Sequence, residues 1–146
     1  MRILLQRVKE ASVSVEGKLC GSIEQGLLVF LGIKREDKPE TTAWLVNKMV
    51  HLRLFADSEG KMNLSLKDMG GAALIVSQFT LYGNCLNGRR PDFMASAPPE
   101  MAKPLYEKFI AEVKQEILQV QTGIFGAYME VALINDGPVT FLIERE

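Results

Sequence analysis

Histidine is almost absent: His51 is the only one in 146 residues. A serine hydrolase needs a base beside its nucleophile, usually histidine. The sole candidate falls at the end of an expected helix, where a charged ring is favourably placed for structural reasons. Cysteine is nearly as scarce. Cys20 and Cys85 are the only two, far apart and at no zinc or redox spacing, so both read as free thiols. No apolar run reaches the roughly 18–20 residues of a membrane span. The opening Met1-Arg2-Ile3-Leu4-Leu5-Gln6-Arg7-Val8 is broken by charge and reads as a strand, not a secretory signal. The cytoplasm is the expected compartment. Neither sign of charge is in excess: 17 basic residues face 18 acidic ones, for a net charge of −1 and a pI near 5.9. That excludes a general nucleic-acid coat, which needs a strong basic surplus, and leaves room for a protein that touches one end of an RNA. The glycine-rich stretches lack the spacing of a phosphate loop.

What is present is an ordinary globular composition, 47% hydrophobic and 24% charged. Residues 1–146 read as one domain, large enough to fold without disulfide or metal. Arg2–Val8 and Ala11–Val15 read as strands, with a turn at Glu16-Gly17 and a partner strand over Lys18–Ile23. Leu27-Leu28-Val29-Phe30-Leu31-Gly32-Ile33 is too short for a helix and too apolar for an exposed strand, so it reads as a central strand covered on both faces. Asp37 with Glu40 looks like a capping box and Pro39 suits a first turn, which predicts a helix over Pro39–His51. Ala73–Phe79 is a second buried strand. Ala97-Pro98-Pro99-Glu100 opens a second helix, with Leu105, Phe109, Val113 and Ile117 as its apolar stripe. Tyr128–Ile134 and Val139–Glu144 read as closing strands. The expected class is α+β, a curved barrel-like sheet packed by two main helices.

Two segments carry the chemical interest. In Ser77-Gln78-Phe79-Thr80-Leu81, a buried strand ends in polar residues. Thr80 follows that strand, but its hydroxyl is a nucleophile only with an activating base, and none is evident. Main-chain N–H groups at Phe79 and Thr80, freed where pairing stops, are better candidates as an oxyanion hole. Gln78 is placed to orient a substrate. In Asn135-Asp136-Gly137-Pro138-Val139-Thr140, a glycine–proline pair sits between two strand-like stretches; by itself it reads equally as a tight turn.

Taken in order, Gln6-Arg7-Val8, Ala11-Ser12-Val13, Gly26-Leu27-Leu28-Val29, Lys61-Met62-Asn63-Leu64-Ser65, Val76-Ser77-Gln78-Phe79-Thr80-Leu81-Tyr82, Gly88-Arg89-Arg90-Pro91, Ala97-Pro98-Pro99-Glu100, Phe125-Gly126-Ala127 with Met129, and Asn135 to Thr140 resemble the D-aminoacyl-tRNA deacylase family from end to end. Individually most of these are weak; in this order they are specific. The resemblance implies hydrolysis of the ester between a D-amino acid and the 3′ terminal adenosine of tRNA, and of glycine mischarged on alanine tRNA. It implies catalytic roles for Ser77, Gln78, Phe79 and Thr80, with backbone amides serving the ester carbonyl and Thr80 orienting. It implies a cis Gly137-Pro138 pair reaching into a partner subunit's pocket to exclude L-amino acids, with Phe125 and Met129 shaping the wall and Arg89 and Arg90 meeting the RNA. No cofactor or metal is implied. The partners are a second copy, making a homodimer, and the aminoacyl-tRNA 3′ end, with neither membrane nor DNA.

The chain departs from the family pattern at Cys85-Leu86-Asn87-Gly88, where a basic residue usually precedes the glycine; this implies weaker, less salt-dependent RNA contact. The lack of a side-chain acid–base pair also fits a non-catalytic module that binds the aminoacyl-tRNA end, and the compact β-rich fold also fits a small-molecule esterase or thioesterase.

Overall fold

The computed structural model describes residues 1–146. Its sheet is organised around two parallel neighbours, β3 (Gly26–Gly32) and β6 (Ala72–Ser77), paired from Gly26↔Ala72 to Leu31↔Ser77. Side chains alternate across a strand, and this alternation divides the interior. Leu27, Val29, Leu31, Ala73 and Ile75 face the larger cluster, which the helices α1 (Pro39–His51) and α2 (Pro99–Glu116) cover. Leu28, Leu74 and Val76 face a smaller cluster with Val8, Val13 and Ile23. The expected central strand is therefore covered on both sides.

The remaining strands wrap this pair. β1 (Arg2–Val15) runs antiparallel to β3 along its first half and to β2 (Lys18–Ile23) along its second. β8 (Glu130–Glu144) follows β1 along its whole length on the other side, and a short β7 (Val120–Thr122) pairs parallel to β6. β2 comes against β7, so the six strands curl into a nearly closed barrel. β4 (Arg53–Ala56) and β5 (Met62–Ser65) form a separate hairpin, its turn held by Asp57, whose carboxylate accepts the N–H of Glu59 at 2.9 Å and of Lys61 at 3.0 Å. No helix is long and apolar enough to cross a membrane.

Helix α1 occupies the expected residues, but its start differs. The N-cap is Lys38, with no side-chain cap. Asp37 is engaged elsewhere: its carboxylate accepts the N–H of Lys34 at 2.8 Å and pairs with the buried Met1 ammonium. The capping box is thus not formed, because a stronger charge partner takes the carboxylate. Pro104 sits inside α2 without ending it, and Leu105, Phe109, Val113 and Ile117 are buried as the stripe predicts. The expected breaks in β1 and β8 are irregularities in the ladder, near Arg7–Lys9 and at Asp136–Val139, that each strand runs through. The second buried strand stops at Ser77, two residues earlier than expected, because a 3₁₀ turn begins at Phe79.

Candidate active site

A cavity of about 520 Å³ opens at the carboxyl ends of β3 and β6. Leu31, Ile33 and Val76 form its apolar base. Ser77, Gln78 and Phe79 line one side, and Phe125, Met129 and Tyr128 another. Ala97, Pro99 and Ala102 bring the first turn of α2 to the wall. The lining is largely hydrophobic, which strengthens any polar interaction made inside it.

The polar interaction on offer comes from the main chain. Gln78 N–H donates to the Leu31 carbonyl at 2.8 Å and continues the parallel ladder beyond Ser77. The chain then turns into the 3₁₀ segment Phe79–Tyr82. The leading N–H groups of a helical turn have no acceptor within it, and here they belong to Phe79 and Thr80. Gln78 as N-cap makes no side-chain bond to them. The turn is fixed from several directions. Leu81 N–H donates to the Gln78 carbonyl at 3.3 Å and Gly83 N–H to that of Thr80 at 2.9 Å. Ser96, buried, donates its hydroxyl to the Phe79 carbonyl at 2.9 Å. Underneath lies Gly32, where a Cβ would stand 2.9 Å from Leu81 Cβ and 3.2 Å from the Gln78 carbonyl oxygen.

The hydroxyls beside these amides have no base. Thr80 is exposed, and its Oγ1 accepts from Gln78 Nε2. Ser77 makes no side-chain hydrogen bond. His51 sits at the far end of α1, with Nδ1 2.9 Å from the Asn47 carbonyl. No group of three or more His, Cys, Asp or Glu side chains comes together.

The wall is propped from the helix side. Tyr106 of α2 donates its hydroxyl to the Ile75 carbonyl at 3.1 Å and packs its ring 5.5 Å from that of Phe125. Burial pushes the Tyr106 phenol up to about 12, so it stays a neutral donor. Phe79 projects outward, its ring edge-on to Phe93 at 5.0 Å. Beyond it, Asn84 and Asp92 pair through both main-chain bonds and close a loop. Arg89 and Arg90 lie exposed on that loop, outside the cavity lining.

Gly137 and Pro138 are elsewhere. Their peptide bond is cis, and neither residue lines the cavity. They bulge from β8 beside Arg7, four residues along β1 from the level of Leu31, or roughly 13 Å at strand spacing. The local sequence makes the bulge. Arg7 donates to the Asp136 carbonyl at 3.0 Å and to that of Leu54 at 2.6 Å, and lies 3.5 Å from the Asp136 carboxylate. Gly137 has φ +135°, and a Cβ there would stand 2.7 Å from Val139 Cγ2 and 3.0 Å from Arg7 Nη2, so a side chain is excluded both by conformation and by space.

The structure thus brings Ser77, Gln78, Phe79, Phe125 and Met129 to one cavity, places Thr80 beside it, and sets Arg89, Arg90, Gly137 and Pro138 apart. Leu31, Ile33, Ala97 and Ala102 carry no signal of a site in the sequence, since small and aliphatic residues look like core. The signal of Ser96, a serine just before the Ala-Pro-Pro helix start, is faint.

A family model described as D-Tyr-tRNA(Tyr) deacylase matches residues 4–144. The chain is 56% identical over 146 residues to the D-aminoacyl-tRNA deacylase of Thermosipho africanus, covering 100% of this chain and 98% of the relative. It is 57% identical to that of Fusobacterium nucleatum over 146 residues, covering 100% and 97%. Among solved structures, one titled c-Myc DNA Unwinding Element Binding Protein superposes with a TM-score of 0.95 at 39% identity, covering 100% of this chain and 99% of the other. Another, titled as a probable eukaryotic D-amino acid tRNA deacylase, shares the fold with a TM-score of 0.82 at 20% identity, covering 97% of both chains.

Proposed function

The chain belongs to the D-aminoacyl-tRNA deacylase family and is a hydrolase of the ester bond in D-aminoacyl-tRNA, and we propose that it cuts this bond with main-chain donors and without a protein base. The observation that carries the reading is the 3₁₀ turn at the mouth of an apolar cavity, with the Phe79 and Thr80 N–H groups at its start and no acid–base partner for either nearby hydroxyl. Water attacks the ester carbonyl. The developing oxyanion is held by the two N–H groups, an arrangement whose single donors are worth about 10²–10³ in rate. The attacking water's proton passes to the 3′ oxygen as the C–O bond breaks, helped by the neighbouring 2′-hydroxyl of the terminal adenosine. The products are free amino acid and tRNA.

Chiral selection follows if two copies assemble so that the Gly137 and Pro138 carbonyls of one meet the cavity of the other. With the α-amino group and carbonyl fixed, an L side chain would run into those main-chain oxygens, while a D side chain points outward. Glycine has nothing to exclude, so glycyl-tRNA is accepted as well. The remoteness of the pair from its own cavity supports this reading. So does the outer strand β8, whose second edge is unpaired and which exposes Ile134, Phe141 and Leu142. Arg89 and Arg90 extend toward the RNA, and the proposed compartment is the cytoplasm.

The test is deacylation of matched D-tyrosyl-, L-tyrosyl- and glycyl-tRNA. Release of the D-amino acid and glycine with L-tyrosyl-tRNA intact is the expected result. Equal loss of the D and L forms would overturn the selection mechanism. A substrate ending in 2′-deoxyadenosine should be cleaved slowly, since the 2′-hydroxyl is then missing.

A further inference from the structure

We propose that Arg2 is a positioning residue for deacylation, aiming the Phe79 and Thr80 N–H groups by gripping the turn that carries them. The proposal rests on the reading of that turn as the oxyanion site.

Arg2 opens β1, between Gly32 of β3 on one side and Glu144 of β8 on the other. Both neighbours matter to the turn. Gly32 leaves the space into which Leu81 and the Gln78 carbonyl settle. Glu144 holds the guanidinium, accepting from Nη2 at 2.8 Å. The other terminal nitrogen, Nη1, donates to the Leu81 carbonyl at 2.5 Å. The face of the same guanidinium lies 4.6 Å from the centre of the Tyr82 ring, and the Tyr82 hydroxyl donates to the second oxygen of Glu144 at 3.1 Å. Two consecutive residues of the 3₁₀ turn, Leu81 and Tyr82, are thus clasped by one planar group. Its Nε is buried with no acceptor, so the grip comes from the two terminal nitrogens and the face. The turn is only four residues long, so the direction of its first N–H groups depends on where its last residues are held.

Lysine cannot replace this clasp. Its ammonium is a single point on a flexible stem and lacks the rigid fork and the flat face. Arg2→Lys keeps the charge beside Glu144 and loses the simultaneous hold on Leu81 and Tyr82. Misplacement of catalytic donors by about 1 Å can cost on the order of 10²-fold in rate. For Arg2→Lys the expected result is a fall in kcat of about 10- to 100-fold, with KM changed by no more than about twofold. The melting temperature should stay close to that of the unaltered protein. Hydrogen exchange at the Leu81 and Gly83 amides, which donate within the turn, should accelerate.

An Arg2→Lys protein with kcat and both exchange rates unchanged would overturn the proposal. So would a rise in KM at constant kcat, which would place Arg2 in binding. Failure of the unaltered protein to release a D-amino acid would remove the oxyanion reading instead, and the exchange rates would still decide whether Arg2 holds the turn. Should Arg2→Lys not fold, Glu144→Gln tests the same clasp from its other end. It keeps an acceptor and loses the charge, so a smaller fall in kcat with faster Leu81 exchange is expected, and no change in either would overturn the proposal.

Discussion

The side chain of Asn135 accepts the main-chain N–H of Val139 at 2.9 Å, tying the chain across the neck of the bulge that holds Gly137 and Pro138. Its amide nitrogen donates at the same time to the Thr140 hydroxyl at 2.8 Å. One residue therefore sets the shape of the segment proposed to screen the substrate. Asn135→Ala removes both bonds and leaves the Val139 N–H without its acceptor, a loss of about 1–2 kcal/mol in stability. Asn135→Asp keeps the acceptor for Val139 and should be milder. In both, the ratio of D- to L-tyrosyl-tRNA turnover should fall in the same order as stability, measured by deacylation beside urea unfolding. A full ratio in Asn135→Ala would separate the bulge from selection.

Thr80 is the residue whose role divides nucleophilic from main-chain catalysis. Its hydroxyl accepts from Gln78 and meets no base, whereas its N–H stands at the head of the 3₁₀ turn. Thr80→Ala deletes the first and keeps the second. We expect kcat to remain within about tenfold of the unaltered protein; loss of a true nucleophile costs on the order of 10⁴-fold or more. Single-turnover deacylation of D-tyrosyl-tRNA decides between these values. A collapse to background with the fold intact would make the hydroxyl the attacking group.

Gly32→Ala tests whether the turn must sit as low as it does. The added methyl would stand 2.9 Å from Leu81 Cβ and 3.2 Å from the Gln78 carbonyl oxygen, too close for either to stay in place. The turn would have to lift, taking its leading N–H groups with it. Overpacking of this kind costs about 1–3 kcal/mol in stability. The expected loss of kcat is larger in proportion than the loss of stability, because donors moved by about 1 Å lose much of their effect. Comparable kcat in a folded Gly32→Ala protein would show that the turn tolerates displacement.

The exposed arginines require a different measurement. Arg89 and Arg90 make no hydrogen bond or ion pair within the chain, and they lie outside the cavity, so their expected contribution is to RNA affinity alone. Replacing each with alanine should make the negative slope of log K against log salt shallower by about 0.7 for every single-strand phosphate that the variant no longer neutralises. The D-to-L ratio and the single-turnover rate at saturating protein should not move. A slope unchanged in the double variant would place the RNA elsewhere on the surface.

Much of this architecture can be read in the sequence, for identifiable reasons. Leu27 to Ile33 is too apolar to face water on either side, and both faces are indeed covered. Helix α1 follows from the position of Pro39, even though Asp37 does not cap it. β7 is not legible because three residues give no period, and its pairing with β6 is purely tertiary. The continuity of β1 and β8 was hidden as well, since Lys9-Glu10 and Asp136-Gly137-Pro138 resemble chain breaks; irregular pairing carries both strands through. Of the candidate site, the place of Ser77-Gln78-Phe79 at the cavity is legible because polar residues end an apolar strand. The apolar cavity beside it is not, because Leu31, Ile33 and Ala102 have the chemistry of core residues, and only their place at the ends of elements turns them into a lining.

Glu144 gives the clasp around Arg2 a signature in acid. The hydrogen bond from Arg2 is the largest influence on its carboxyl and holds it below the ordinary value of 4.5. With the folded-state pKa depressed, the unfolded chain takes up the proton first as pH falls. The stabilisation is therefore fully present above the unfolded value near 4.5 and disappears as pH drops through the lower folded value. Both side chains are partly exposed, 26% for Arg2 and 33% for Glu144, so solvent screens the effect and salt should reduce it. Glu144→Gln cannot titrate. Urea midpoints measured from pH 7 to pH 3 should show the unaltered protein more stable than Glu144→Gln at neutral pH, with the gap narrowing once pH passes below 4.5. A gap that stayed constant over the whole range would mean that the carboxylate charge contributes nothing to holding the turn, and that the hydrogen bond from Arg2 to the Leu81 carbonyl holds it without help from Glu144.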